Sequence, residues 1–120
     1  MKVLSFSKLE RSLLPKHRNR LNHAESVEDV KKFFFYTVQE FFNKCFKGSY
    51  KVATGDIELA PRRGSYFNLS PQMQNNTNFN KLWQSSDMPV IIQRLAKSSA
   101  HRYQNLEANH LKSNLKIKGH

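Results

Sequence analysis

The chain has 120 residues, enough for one ordinary domain and one hydrophobic core but too few for two. Leu, Ile, Val and Phe supply 31 of them, above the ~20% below which a highly charged chain stays disordered. Twenty Lys and Arg against nine Asp and Glu give +11, and the single cysteine, Cys45, excludes an intramolecular disulfide framework and favours a reducing, cytoplasmic setting.

Taken in chain order, residues 1–24 form a basic N-terminal segment. Val3, Phe6, Leu9, Leu13 and Leu14 fall loosely on one helical face, with Lys8 and Arg11 opposite. Lys8, Glu10 and Arg11 interrupt the apolar run, so the segment does not read as a secretory signal, and an organelle transit peptide is a minor reading of its acid-poor composition. Pro15 is expected to end the helix, leaving Lys16 to Arg20 as a basic connector.

The main domain is expected over residues 25–109. Ser26 is a good N-cap with Asp29 three residues on, and Gly48 suits the position just past a helix. Between them Val27, Val30, Phe34, Val38, Phe41 and Cys45 recur at helical spacing, flanked by Phe35, Phe42 and Phe46. Glu28, Lys32, Gln39, Asn43 and Lys47 take the other side, while Phe33 and Tyr36 lie off the apolar stripe. Residues 49–70 change to a period of two around Tyr50–Thr54, Ile57–Leu59 and Phe67–Leu69, broken at Gly55 and at Pro61–Gly64. This predicts a small antiparallel sheet of two or three strands, covered by the aromatic helix.

From Ser70 to Asn80 most of the chain reads as loop, with a short helical turn opened by Ser70 and Pro71. Residues 81–83 suggest a short helical anchor with Trp83 as a plug. Ser86 or Asp87 caps a last helix whose inner face is Ile92, Leu95, Ser99, Tyr103 and Leu106, with Arg94, Lys97 and His101 outside. Residues 110–120 read as a basic C-terminal tail that frays. The fold class is therefore α+β, a long aromatic-rich amphipathic helix packed on a small antiparallel sheet, plus a C-terminal helix. No stretch approaches the ~20 apolar residues of a membrane span, and no transmembrane segment is expected.

Little in the sequence points to catalysis or to a cofactor. The five histidines lack paired ligand spacings, and one cysteine cannot build a zinc knuckle. Cys45, on the centre line of the apolar stripe, predicts an inert thiol with a raised pKa. Asp56 and Glu58 are closely paired carboxylates on a strand, expected on one face, where they could hold a divalent cation; a solvent-facing sheet edge explains them as well. No phosphate-cradling loop or dinucleotide fingerprint is present. The expectation is a protein that is not an enzyme.

Charge placement carries the functional expectation. Residues 1–24 hold a net +5, residues 25–47 cancel, and residues 81–120 again hold +5. Basic ends around a neutral centre attract polyanions. The expectation is non-catalytic nucleic-acid binding through phosphate contacts, DNA and RNA not being distinguished. The candidate residues are Lys16, Arg18 and Arg20; Arg62 and Arg63 at the hairpin; Arg94, Lys97 and Arg102 on the last helix; and Tyr66 as a stacking platform for an unpaired base. The alternative is a protein-interaction adaptor or homodimer, in which Phe33, Tyr36, Trp83 and a basic rim meet an acidic partner. A basic amphipathic segment on a membrane surface is a further reading of residues 1–20.

Overall fold

A computed structural model describes the backbone from Leu4 to Lys118 and the side chains as far as Asn109. The expected place of Val3 and the side chains of the basic 110–120 segment lie outside the described residues. The elements are α1 (Ser7–His23), α2 (Val27–Phe46), β1 (Ile57–Leu59), β2 (Phe67–Leu69), α3 (Pro71–Gln74), α4 (Thr77–Gln84) and α5 (Met88–Lys118). The fold is α+β: α2 packs on a two-stranded antiparallel sheet, and α1 and α5 complete the core.

Local chemistry sets α2. The Ser26 hydroxyl accepts the Asp29 N–H at 3.1 Å, and the Asp29 carboxylate accepts the Glu25 N–H at 3.1 Å, so orphan donors at the helix start are satisfied from both sides. Lys47 and Gly48 at its far end both take positive φ, 51° and 91°, and glycine there removes the Cβ clash of that conformation. Phe34, Phe41 and Phe42 are fully buried. Phe79 from α4 extends the aromatic cluster, edge-on to Phe42 and stacked on Trp83 at 5.1 Å. Trp83 is thus a partly buried core residue.

The three long helices form a bundle whose order follows from its contacts. Leu4 bridges to Ser86, Glu10 bonds Arg94, His17 bonds Ser99, and Leu21 bonds Arg102. Numbers ascend on both sides, so α1 and α5 run parallel. Phe6 meets Phe41, Lys16 meets Glu40 and His17 meets Thr37, so α2 runs antiparallel to α1.

Four expectations need correction. Pro15 does not end α1: the helix runs through it to His23. Proline removes one hydrogen bond, but Pro15 faces solvent while Leu13, His17 and Leu21 are buried, and that packing overrides the local penalty. Residues 16–20 are consequently helix, with one face in the core. Tyr50–Thr54 is not a strand, because Asp56 folds it into a turn. The 70–80 segment is mostly helical, with Ser70 capping α3 and Asn76 capping α4 through its side chain. Finally, α5 continues to Lys118 through the segment expected as a frayed tail.

Candidate nucleic-acid interface

The nine candidate residues divide by what holds them. Arg94 is taken up by Glu10 in a two-pronged pair, Nε to Oε2 at 2.8 Å and Nη2 to Oε1 at 2.9 Å. Glu10 is buried and Arg94 remains 55% exposed, so its outer side still faces solvent. Lys16 donates to Glu40 at 3.2 Å, on the α2 flank of α1. Arg62 pairs with Glu107 on α5. Arg20 donates to the Thr37 hydroxyl at 3.2 Å. Arg102 caps the end of α1, its Nε donating to the Leu21 carbonyl at 2.8 Å and its Nη2 to the Ala24 carbonyl at 3.1 Å. It satisfies carbonyls that a helix end leaves without partners, with the charge placed favourably for the helix dipole.

Arg18, Arg63 and Lys97 are exposed, and among the described residues their side chains make no hydrogen bond or ion pair. Arg63 contributes only backbone to the hairpin turn, its carbonyl accepting the Tyr66 N–H and its N–H donating to Ala60. Tyr66 sits at φ 72°, uncommon for a residue with a Cβ. It is half-buried, edge-on to His101 at 6.4 Å, so one edge of its ring is already covered.

These groups converge on α5. His17 and Ser99 pin α1 to one flank of that helix. Tyr66 on His101, and the Gln104 side-chain amide donating to the Pro61 carbonyl at 2.8 Å, pin the hairpin turn to the other. On α1, Lys16 and Arg20 turn towards α2. Successive residues step 100° around a helix, so Arg11 and Arg18 fall on the opposite flank, beside α5. They are exposed and seven residues apart, about 10.5 Å along the axis. Arg11, Arg18, Arg94, Lys97 and the Arg63 turn thus line one side of the molecule. The carboxylates of α1 and of α5 as far as Asn109 are Glu10 and Glu107, each matched by an arginine.

Arg11 is the residue that sequence reasoning missed. Its seven-residue spacing from Arg18 is visible in the chain, but reading Pro15 as a helix end put the two in different elements.

A second cluster resembles catalytic machinery. Buried His17 lies between the Thr37 hydroxyl, 2.9 Å from Nδ1, and the Ser99 hydroxyl, 3.1 Å from Nε2. Ser99 donates to the Leu95 carbonyl at 2.8 Å, so it accepts from Nε2–H. Thr37 accepts from Arg20 and donates to Nδ1. A nucleophilic serine needs the reverse, a histidine that takes its proton, and Ser99 is wholly buried. The cluster is a brace joining three helices. Burial lowers the His17 pKa to about 4, opposed by a hydrogen bond to the Leu95 carbonyl and assisted by the Arg20 charge.

Asp56 and Glu58 do not form a carboxylate pair. Glu58 is exposed on β1, whereas Asp56 is buried and accepts from Tyr50 Oη at 2.9 Å, Ala53 N–H at 2.9 Å and Ser70 Oγ at 2.8 Å. Burial raises its pKa, but these three bonds outweigh it and hold the carboxyl below its ordinary value. Cys45 is half-buried, and burial, aided by the Asp87 charge, pushes its thiol to about 12. Among the described residues no group of three or more His, Cys, Asp or Glu is placed to hold a metal ion. No helix there is long and apolar enough to cross a membrane.

No family model matches the chain, and comparison with curated proteins and with solved structures yields no match either.

Proposed function

We propose that the protein is a non-catalytic nucleic-acid-binding protein that contacts phosphates through the α1–α5 face. The observation that carries this reading is the row formed by Arg11, Arg18 and Lys97, exposed cations on two parallel helices that no carboxylate offsets. Arg94 adds a guanidinium whose inner side is held by Glu10, which fixes its direction and leaves its outer donors to solvent. Parallel helices joined at the Glu10–Arg94, His17–Ser99 and Leu21–Arg102 levels present this row as a rigid surface. Phosphate binding needs little more than such a row, because affinity comes chiefly from counterion release.

The test is titration of fluorescein-labelled single-stranded RNA, duplex DNA and heparin with wild-type protein and with Arg11→Gln/Arg18→Gln/Lys97→Gln, each across a range of salt. Binding to one nucleic acid with a steep salt slope is expected. In the triple variant the slope on duplex DNA should fall by about 3, close to one per phosphate contact removed. Arg62→Ser should leave the slope unchanged, since Glu107 already holds that residue. Equal, weak binding to all three polyanions, or an unchanged slope in the triple variant, would refute the reading.

A further inference from the structure

A separate surface lies on the far edge of the sheet. Tyr66 accepts from Ala60, and Asp56 accepts from Ser70. The register pairs Glu58 with Asn68. In an antiparallel ladder hydrogen-bonded and non-hydrogen-bonded pairs alternate, so Asp56, Glu58 and Ala60 face β2. The backbone N–H and C=O groups of Ile57 and Leu59 therefore point the other way, and among the described residues nothing bonds to them. The segment expected as a neighbouring strand, Tyr50–Thr54, is drawn aside by Asp56, which leaves this edge open.

The edge borders a cleft of about 440 Å³ between β1 and α2. Lys31, Lys32, Phe35 and Tyr36 form its α2 wall, beyond the reach of the two strands. Tyr36 is 44% exposed, an aromatic ring left on the surface beside unpaired strand groups. Lys31 Nζ lies 5.8 Å from the centre of the Tyr103 ring, and Lys32 has only a 3.8 Å pair with half-exposed Asp29. Both ammonium groups can thus turn to a new partner.

We propose that this cleft docks an extended peptide segment of a partner protein, which adds as a third strand to β1. Its backbone takes up the Ile57 and Leu59 groups, its apolar side chains rest on Phe35 and Tyr36, and its carboxylates meet Lys31 and Lys32. The alternating donors and acceptors of the edge match the strand repeat of a polypeptide. Glu58 stands exposed at the centre of the edge, where it repels a phosphodiester, whereas a peptide can set a neutral or basic residue beside it. The site uses none of the cations on the α1–α5 face, so it is independent of nucleic-acid binding.

The experiment is a titration of the ¹⁵N-labelled full chain with end-blocked Glu-Thr-Val-Thr-Val-Thr-Glu at millimolar concentration. This peptide presents Glu and Val on one face and Thr on the other in either strand direction. The expected result is a shift of the Ile57 and Leu59 amide signals and about tenfold slower exchange at both. Glu58 and Ala60, already bonded to β2, should change little. Lys31→Glu/Lys32→Glu, at exposed positions that do not threaten folding, should abolish the effect and confer it on the peptide with Lys in place of both Glu. Absence of protection at Ile57 and Leu59 overturns the proposal. So does equal binding of the two peptides to the wild-type chain, or displacement of the acidic peptide from this edge by an oligothymidylate.

Discussion

Lowering the pH from 7.5 to 5 should weaken the fold through one residue. His17 is buried and neutral between Thr37 and Ser99, with a pKa of about 4 against an ordinary 6.5. The charged groups the brace brings to it amount to Arg20, and no carboxylate stands by to stabilise an imidazolium. The folded pKa lies below the unfolded one, so between about pH 4 and 6.5 the unfolded chain binds the extra proton. The stabilisation is therefore fully present above pH 6.5, declines as pH falls through that window, and is lost below pH 4. At 1.36 kcal/mol per unit the whole effect is about 3 kcal/mol, of which about 2 kcal/mol has gone by pH 5. Urea unfolding at intervals from pH 7.5 to 5 measures it. Stopping at pH 5 keeps Asp56 and Glu40 out of the result, since their pKa values are lowered from 3.8 and 4.5. His17→Leu leaves Ser99 its bond to Leu95, and whatever its absolute stability, its unfolding energy should be flat over the same range. A wild-type curve as flat as the variant's, or a variant curve that falls as steeply as the wild type's, would refute this account of the brace.

Two more outcomes test how the core is tied together. Asp56→Ala removes the acceptor shared by Tyr50, Ala53 and Ser70, and should cost about 2–3 kcal/mol by urea unfolding; a loss under about 0.5 kcal/mol would mean that the turn holds without it. Arg94→Ala leaves the Glu10 carboxylate buried and unpaired, and should destabilise by about 1–3 kcal/mol, discounted for the exposure of the arginine. A double-mutant cycle with Glu10→Ala should return a coupling of about 1–2 kcal/mol, and a coupling near zero would show that solvent, not Arg94, satisfies Glu10.

The elements legible in the sequence were those whose signals are local. Ser26, Asp29 and Gly48 bound α2 because capping involves groups three or four residues apart, and its aromatic stripe repeats at the helical period. The strands at Ile57–Leu59 and Phe67–Leu69 were legible by alternation. What could not be read is whatever a distant partner decides. Alternation at Tyr50–Thr54 signals a strand, but the three bonds to Asp56 capture it as a turn. Pro15 signals a stop, but His17 and Leu21 find partners on α2 and α5, some 20 to 80 residues away. Asn76, Asn78 and Asn80 read as loop because asparagine favours caps and turns, and in fact the Asn76 side chain caps α4 and lets it begin. The charge clusters were found, but the sequence cannot show which cations the fold itself uses.

That last distinction separates two quantities that net charge merges. Lys16, Arg62 and Arg94 stand against carboxylates, so they add little to the field around the molecule. Arg20 and Arg102 donate to a hydroxyl and to carbonyls, which are neutral, so they keep their full charge in that field while their donors are spent. Arginine suits this work because its planar fork can bond two acceptors at once, as Arg102 does at the end of α1. Arg20 and Arg102 can steer a polyanion towards the protein but cannot grip it, whereas Arg11, Arg18 and Lys97 can do both. Removing a steering residue should change the association rate at low salt, whereas removing a gripping residue should change the salt slope itself. The salt slope thus counts the cations that the fold leaves over, a smaller and more local number than the net charge of +11.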